Sequence, residues 1–385
     1  MTSERQTVPF LDLGIQERAI RRPVAAAWKR ILENCSFVGG VEVTDFEQEF
    51  ARYSGTANCV GVANGTDAIV LGLRALEIGP GDKVIVPANT FIATAEAVAL
   101  VGAECIPVDC DPTYQLIDPL AVTLAAERFA PRAIIAVDLY GQIAPMDELS
   151  HIAAKYGAAL IEDAAQSQGA RRHDRGIGHG VALATTSFYP GKNLGAYGDG
   201  GAVLTNSDEI AQRVRMISNH GSLVRYQHEV IGMNSRLDTL QAVVLSEKLR
   251  NLDQWNDQRR EAAQRYHELL DTQSHLVLPM ELAGNHHVWH IYNVRVPAAI
   301  RDDVLRGLQH AGIGAAIHYP VPVHKTPAFR RLVPSPLHCD SAEEAASGTI
   351  SLPMFPGITE AQQTQVAETL QQVVGHCLSG QFQRI

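Results

Sequence analysis

Six short apolar runs, set between segments of helical pattern, leave few architectures open to this chain. They are Cys59–Val62, Lys83–Val86, Glu104–Val108, Ala133–Leu139, Ala158–Ile161 and Gly201–Thr205. Helical patterns at Asp67–Glu77, Thr94–Val101, Pro119–Arg128 and Asp147–Tyr156 alternate with them, and Gly79-Pro-Gly81 stops the first. A strand apolar along its whole length is covered on both faces, so the pattern predicts an α/β fold with a mostly parallel sheet flanked by helices. Ligands on such sheets gather at the carboxyl ends of strands. Thr66, Asp163 and Lys192 all follow apolar runs and are expected at that edge.

From Arg236 to Tyr266 the pattern is helical. It is expected to join the sheet domain, residues 1–250, to a smaller α+β domain, residues 251–385. There Val288–Val296 reads as β-type, with helices at Arg301–Ala311 and Thr359–Cys377. No period of 20–50 residues marks a repeat fold.

With 385 residues, 46% hydrophobic and 19% charged, the chain has material for a large core. A net charge of −10 argues against nucleic acid or an anionic membrane as the main partner. No segment approaches the roughly 20 apolar residues of a membrane span, and the first residues have no apolar run long enough for a signal peptide. The six cysteines (35, 59, 105, 110, 339 and 377) show no zinc spacing and read as reduced thiols, so a cytoplasmic protein is expected. His286, His287 and His290 lack the spacing and nearby acids of a metal site, and no metal is expected.

The chemistry concentrates on one lysine. Lys192 is the only charge in Ser187-Phe-Tyr-Pro-Gly-Lys-Asn-Leu-Gly-Ala-Tyr-Gly198, in a chain with 26 arginines and six lysines. A desolvated amine loses proton affinity and becomes a nucleophile able to form a Schiff base with an aldehyde. Asp163 lies 29 residues upstream at the end of an apolar run. An amine that traps an aldehyde, plus a carboxylate for a pyridine nitrogen, is what pyridoxal phosphate requires of a protein. Asn64-Gly-Thr-Asp67 opens a helix whose N-terminus can take a phosphate, although alone it reads first as an ordinary cap. Ser187 is a second phosphate donor or simply a polar strand end. Phe91 can stack on a flat ring or sit in a core. Gln166 can reach a ring hydroxyl or face solvent.

Taken in order, these segments resemble the DegT/DnrJ/EryC1/StrS sugar aminotransferases over nearly the whole chain. The resemblance rests on Pro9-Phe-Leu-Asp-Leu13, Asn64-Gly-Thr-Asp-Ala68, Pro87-Ala-Asn-Thr-Phe91, Leu139-Tyr-Gly-Gln142, Glu162-Asp-Ala-Ala-Gln166, Ser187-Phe-Tyr-Pro-Gly-Lys192, Asn234-Ser-Arg-Leu-Asp238 and His318-Tyr-Pro-Val-Pro322. It implies PLP fold type I, aspartate aminotransferase-like, with a seven-stranded sheet. It implies that Lys192 holds pyridoxal 5'-phosphate and shuttles a proton, while Asp163 pairs with the pyridinium. Gln166 would contact the ring hydroxyl, Phe91 would stack on the ring, and Gly65, Thr66 and Ser187 would hold the phosphate. Asn234 and Arg225 would act across a homodimer with shared active sites, Asn234 on the cofactor phosphate and Arg225 on a substrate diphosphate. Tyr319 would lie near the substrate. The implied reaction moves an amino group from an amino acid, L-glutamate, to a nucleotide-linked keto-deoxysugar. Within the family the chain looks most like the dTDP-3-keto-6-deoxyhexose 3-aminotransferases. A 4-keto sugar, a keto-cyclitol or an aminobenzoate precursor, and a regulator of the same fold without turnover, are the other readings.

Overall fold

The apolar runs assemble into one seven-stranded sheet. The computed structural model describes residues 7–333 and 338–379. Its strands are β1 (Asn58–Val62), β2 (Lys83–Pro87), β3 (Glu104–Val108), β4 (Ala133–Val137), β5 (Ala159–Asp163), β6 (Arg171–Arg172), β7 (Leu183–Ser187), β8 (Gly201–Thr205), β9 (Asn285–His286), β10 (Tyr292–Arg295) and β11 (Thr349–Leu352). Across the large sheet the order is β1-β8-β7-β5-β4-β2-β3. Only β8 runs against its neighbours.

Helices α1 (Leu13–Asn34) and α2 (Val41–Ser54) precede the sheet. Helices α3 (Gly65–Ala75), α4 (Ile92–Leu100), α5 (Pro119–Phe129), α6 (Met146–Tyr156) and α7 (Asp208–Ser218) return the chain between strands or leave the last one. Side chains alternate between faces in each strand. In β4, Ile134 and Ala136 enter a core with Phe46, Val122 and Leu149, while Ala133 and Ile135 enter one with Leu71, Val98 and Val214. Both faces are therefore dry, and the sequence shows no polar alternation there.

The long helical pattern after Arg236 is two helices, α8 (Thr239–Leu249) and α9 (Leu252–Leu270). Beyond them come α10 (Arg301–His310), α11 (Asp340–Gly348) and α12 (Glu360–Leu378). A third core gathers Tyr266, Tyr292, Val294, Leu308, Ile350, Leu352 and Leu370 around the β10–β11 ribbon. Val8 joins it from the opposite end of the chain, donating its N–H to Gly312 and accepting from Gly314.

Strand β7, Leu-Ala-Thr-Thr-Ser, is not among the apolar runs; only its end, Ser187, reads as a strand position. Its threonines are buried and bond inward, Thr186 to the Ala164 carbonyl at 3.0 Å. The β-type reading of Val288–Val296 shrinks to Tyr292–Arg295, because Val288–His290 is apolar as a packed loop rather than a strand. None of the six cysteines is paired. Among the described residues no helix is long and apolar enough to cross a membrane.

Candidate active site

Two strand ends and a loop converge at the carboxyl edge of the sheet. Asp163 closes β5, Ser187 closes β7, and the loop after β7 carries Lys192. That loop folds back tightly: Ala196 N–H reaches the Phe188 carbonyl at 2.7 Å and Lys192 N–H the Tyr189 carbonyl at 2.8 Å. Gly195 permits the return, since a Cβ there would stand 2.4 Å from the Pro190 carbonyl oxygen. Burial brings the Lys192 ammonium down to about 8, against the pull of Asp163. At neutral pH the amine is still mostly charged, but far more of it is free as a nucleophile than for an ordinary lysine.

Asp163 is buried, and burial raises its carboxyl above the usual range. Three groups oppose that rise. The Thr94 hydroxyl donates to Oδ2 at 2.8 Å, the Ala165 N–H to Oδ1 at 3.2 Å, and Lys192 attracts the anion. Thr90 in turn donates to Thr94, at 2.9 Å, because the Thr94 proton is committed to the carboxylate. A buried carboxylate with this little local compensation suits a cationic partner.

Gln166 is fixed at both ends, accepting the Tyr140 N–H at 2.7 Å and donating to the Tyr319 hydroxyl at 3.1 Å. Tyr140 takes left-handed backbone (φ 62°) and its hydroxyl donates to the His318 carbonyl at 2.5 Å. Such backbone costs on the order of 1–3 kcal/mol and persists where its surroundings enforce it. Phe91, 52% exposed, meets the Tyr319 ring at 5.3 Å between centroids.

The opposite end suits an anion. Asn64 caps α3 by accepting the Asp67 N–H at 2.8 Å, leaving the first-turn amides of Gly65 and Thr66 directed outward. A Cβ on Gly65 would lie 2.6 Å from the Ser187 Cβ, so only glycine lets β7 and α3 close this cradle. Ser187 Oγ accepts the Tyr189 N–H at 3.2 Å and keeps its own proton to donate.

Within one chain, then, Lys192, Asp163, Gln166, Phe91 and Tyr319 come together, with Gly65, Thr66 and Ser187 at the anion end. Arg225 and Asn234 are exposed in the segment after α7. The Arg225 guanidinium lies 4.8 Å from the Tyr226 ring centroid, and Asn234 bridges to Asn219. Thr94, Tyr140, Asn193 and His290 belong to the site region although the sequence reading assigned them no role. Thr94 alone had a signal, its place one helical turn after Thr90 on the first turn of α4. His287 stacks on Trp289 at 3.9 Å and accepts the Trp289 N–H, away from any metal role. Among the described residues no three His, Cys, Asp or Glu gather as metal ligands.

An amine nucleophile, a buried carboxylate and an anion cradle share one edge of a mostly parallel sheet, an arrangement whose chemistry suits a phosphorylated aromatic aldehyde. The DegT/DnrJ/EryC1/StrS aminotransferase family profile matches residues 19–371, and the chain belongs to that family, whose members depend on pyridoxal phosphate. It is 42% identical over 374 residues to the dTDP-3-amino-3,4,6-trideoxy-alpha-D-glucose transaminase of Streptomyces venezuelae, covering 97% of this chain and 98% of that one. It is equally 42% identical over 371 residues to the "pleiotropic regulatory protein" of Geobacillus stearothermophilus, covering 96% and 99%. The crystal structure of DesV of S. venezuelae in complex with a ketimine intermediate superposes with a TM-score of 0.92 at 42% identity, covering 96% of this chain and 98% of that one.

Proposed function

We propose that this aminotransferase moves an amino group from L-glutamate to the keto carbon of a dTDP-linked 3-keto-6-deoxyhexose. The observation that carries the reading is Lys192, an amine lowered to about 8 and facing the buried Asp163 on the scaffold of a sugar-aminotransferase family. The dTDP-sugar named for the S. venezuelae relative supports the substrate class.

Bound pyridoxal phosphate supplies an aldehyde and an electron-withdrawing pyridinium ring. The chain's residues supply the rest. Lys192 Nζ provides the nucleophile and, once free, the base that removes and returns the proton at the reacting carbon. Asp163 keeps a positive charge on the pyridine nitrogen. Gln166, held by Tyr140, would present its amide to the ring hydroxyl, and Phe91 would stack on the ring. Gly65, Thr66 and Ser187 take the phosphate.

Two chains are proposed to share each site in a homodimer. Asn234 would reach the partner's cofactor phosphate and Arg225 the substrate diphosphate, with Tyr319 beside the sugar. The exposure of Arg225 and Asn234 in the single chain supports that placement. We also take the chain as two domains meeting near residue 250, supported by the separate core around β10 and β11. The regulatory name of the Geobacillus relative does not displace the enzymatic reading, because this chain keeps Lys192, Asp163 and Gln166 together.

The test is an amine-transfer screen of purified protein with L-glutamate. The acceptors are a dTDP-3-keto-6-deoxyhexose, its 4-keto isomer, a UDP-linked 3-keto sugar and a keto-cyclitol, with products read by mass. Transfer to the dTDP-3-keto sugar above the others is expected. Transfer only to the cyclitol, or to none, overturns the proposal.

A further inference from the structure

Two buried threonines stand in line behind Asp163. Thr90 precedes α4 and Thr94 lies in its first turn, 3% and 1% exposed. Their hydroxyl oxygens are 2.9 Å apart, and the Thr94 hydroxyl reaches Asp163 Oδ2 at 2.8 Å. A hydroxyl carries one proton, and an ionised carboxylate can only accept. The Thr94 proton therefore goes to Asp163, and the Thr90 proton goes to Thr94. A threonine inside a helix often spends its hydroxyl on the carbonyl one turn back. Thr94 spends it on the carboxylate instead.

Little else steadies the anion. The Ala165 N–H reaches Oδ1 at 3.2 Å, and among the described residues Thr94 is the only side chain that donates to this carboxylate. Phe91, the N-cap of α4, lies between the two threonines, and the Thr94 N–H reaches its carbonyl at 3.3 Å. Asn89 anchors the same segment by donating its amide to the Gln115 carbonyl at 2.7 Å. One short segment thus presents both the Phe91 ring and the proton that Asp163 accepts.

We propose that Thr94, backed by Thr90, is a positioning residue of the reaction: its hydroxyl holds Asp163 oriented and ionised, and so keeps the shared proton on the pyridine nitrogen. A donor to the charged form of a carboxylate lowers its proton affinity. Without that donor the carboxyl competes for the proton the ring needs. The inference rests on Asp163 as the partner of the pyridine nitrogen, part of the reading above, and not on the identity of the sugar.

The test uses the full-length protein with and without pyridoxal phosphate. With cofactor labelled by ¹⁵N in the pyridine ring, the nitrogen chemical shift reports whether that atom carries the proton. Thr94→Val, which puts a methyl group in place of the hydroxyl, moves the shift towards the unprotonated ring. It also weakens cofactor binding about tenfold or more, the scale of one hydrogen bond to a charged group. Without cofactor, the infrared carboxyl band of Asp163, identified by its loss in Asp163→Asn, titrates at higher pH in the Thr94→Val protein. Thr94→Ser restores all three readings, and Thr90→Val moves them the same way by less. The proposal is overturned if Thr94→Val leaves the nitrogen shift and the carboxyl titration at their wild-type values, or if Thr94→Ser is as impaired as Thr94→Val. If Asp163→Asn leaves the ring as protonated as in the wild type, the pairing of Asp163 with the pyridine nitrogen falls and the proposal with it. If Asp163→Asn strips the ring proton and Thr94→Val does not, the proposal alone falls.

Discussion

The carboxyl edge of the large sheet and the core around β10 and β11 are built on opposite terms. The edge holds Asp138, Glu162 and Asp163 buried and Lys192 half-buried, with Tyr140 in left-handed backbone. The other core is closed by Tyr266, Tyr292, Leu308, Ile350 and Leu370, and its buried tyrosine pair meets at a tilt, with centroids 4.9 Å apart. Burial of apolar side chains stabilises by about 1.5–3 kcal/mol each. Burial of charges without full pairing costs stability and shifts proton affinity instead. Chemistry is thus confined to the region that holds the buried charges, while the second core, which includes Trp289 in left-handed backbone, contributes stability through apolar burial.

The largest expected effect falls at the edge. Lys192→Ala should abolish turnover while leaving the fold intact, and the protein should lose the absorbance change that glutamate causes in the wild type. Mixing Lys192→Ala with Asn234→Asp under subunit exchange should return activity, because one of the two sites then carries neither defect. No return, with exchange shown by tagged chains, would place Asn234 within its own site.

Next comes the contrast itself. Tyr266→Ala should cost about 3–5 kcal/mol of stability in a core this dry, measured by denaturant midpoint. Its activity per folded molecule should stay near wild type. A comparable loss of kcat at temperatures where the variant is folded would mean that the two regions are mechanically coupled. The Tyr266 hydroxyl, which donates to the Pro353 carbonyl at 2.9 Å, adds to the loss.

Asp163→Asn should slow turnover by a factor on the order of 10², about 3 kcal/mol, because a neutral amide cannot hold a pyridinium proton. Asp163→Glu should keep more. Equal rates for wild type and Asn would reduce Asp163 to a local partner of Thr94. Arg225→Ala should raise KM for the nucleotide sugar about tenfold or more, as a charge-assisted contact worth roughly 1.5–3 kcal/mol is lost. KM for glutamate should be unchanged, and equal effects on both would remove Arg225 from the diphosphate.

These residues were not equally legible. The sheet could be read from the sequence because strands buried on both faces are apolar throughout, as in Ala-Ile-Ile-Ala-Val of β4. β7 escaped because it satisfies its buried threonines with hydrogen bonds rather than avoiding them. Lys192 and Asp163 stood out as charges in apolar surroundings. Asn193 and His290 did not, since the neutral hydrogen-bonded chain of Asn256, Asn193 and His290 has no charge pattern and is assembled from α9, the Val288 loop and the lysine loop. Tyr140 escaped for another reason: left-handed backbone at a non-glycine residue is imposed from outside, here by Gln166 and His318.

The smallest effect tests whether the edge holds its charges at a cost. Asp138 directly follows β4 and Glu162 lies on the neighbouring β5, with the Asp138 carboxyl raised well above its usual range by burial and by Glu162. Ser167 and the Ala144 N–H donate to Asp138, and the Gly178 N–H to Glu162 at 2.5 Å. Burial raises Glu162 from 4.5 to about 7. A carboxyl whose folded value is raised binds more protons in the folded state, so its stabilisation is full below about 4.5 and lost as pH rises through about 7. Lys192, lowered from 10.5 to about 8, has the opposite sign, and stability recovers between those two values as the unfolded chain gives up its extra proton. The folded protein freed of cofactor, in which Lys192 is a free amine, should therefore show a shallow stability minimum between the two windows. Glu162→Gln keeps an acceptor for Asp138 and removes one titrating group. It should flatten the acid limb, measured as unfolding free energy from pH 4.5 to 7, and leave the alkaline limb in place. If the acid limb keeps its slope in this variant, the proton is not held by the Asp138–Glu162 pair, and the carboxyl edge is less costly than its burial implies.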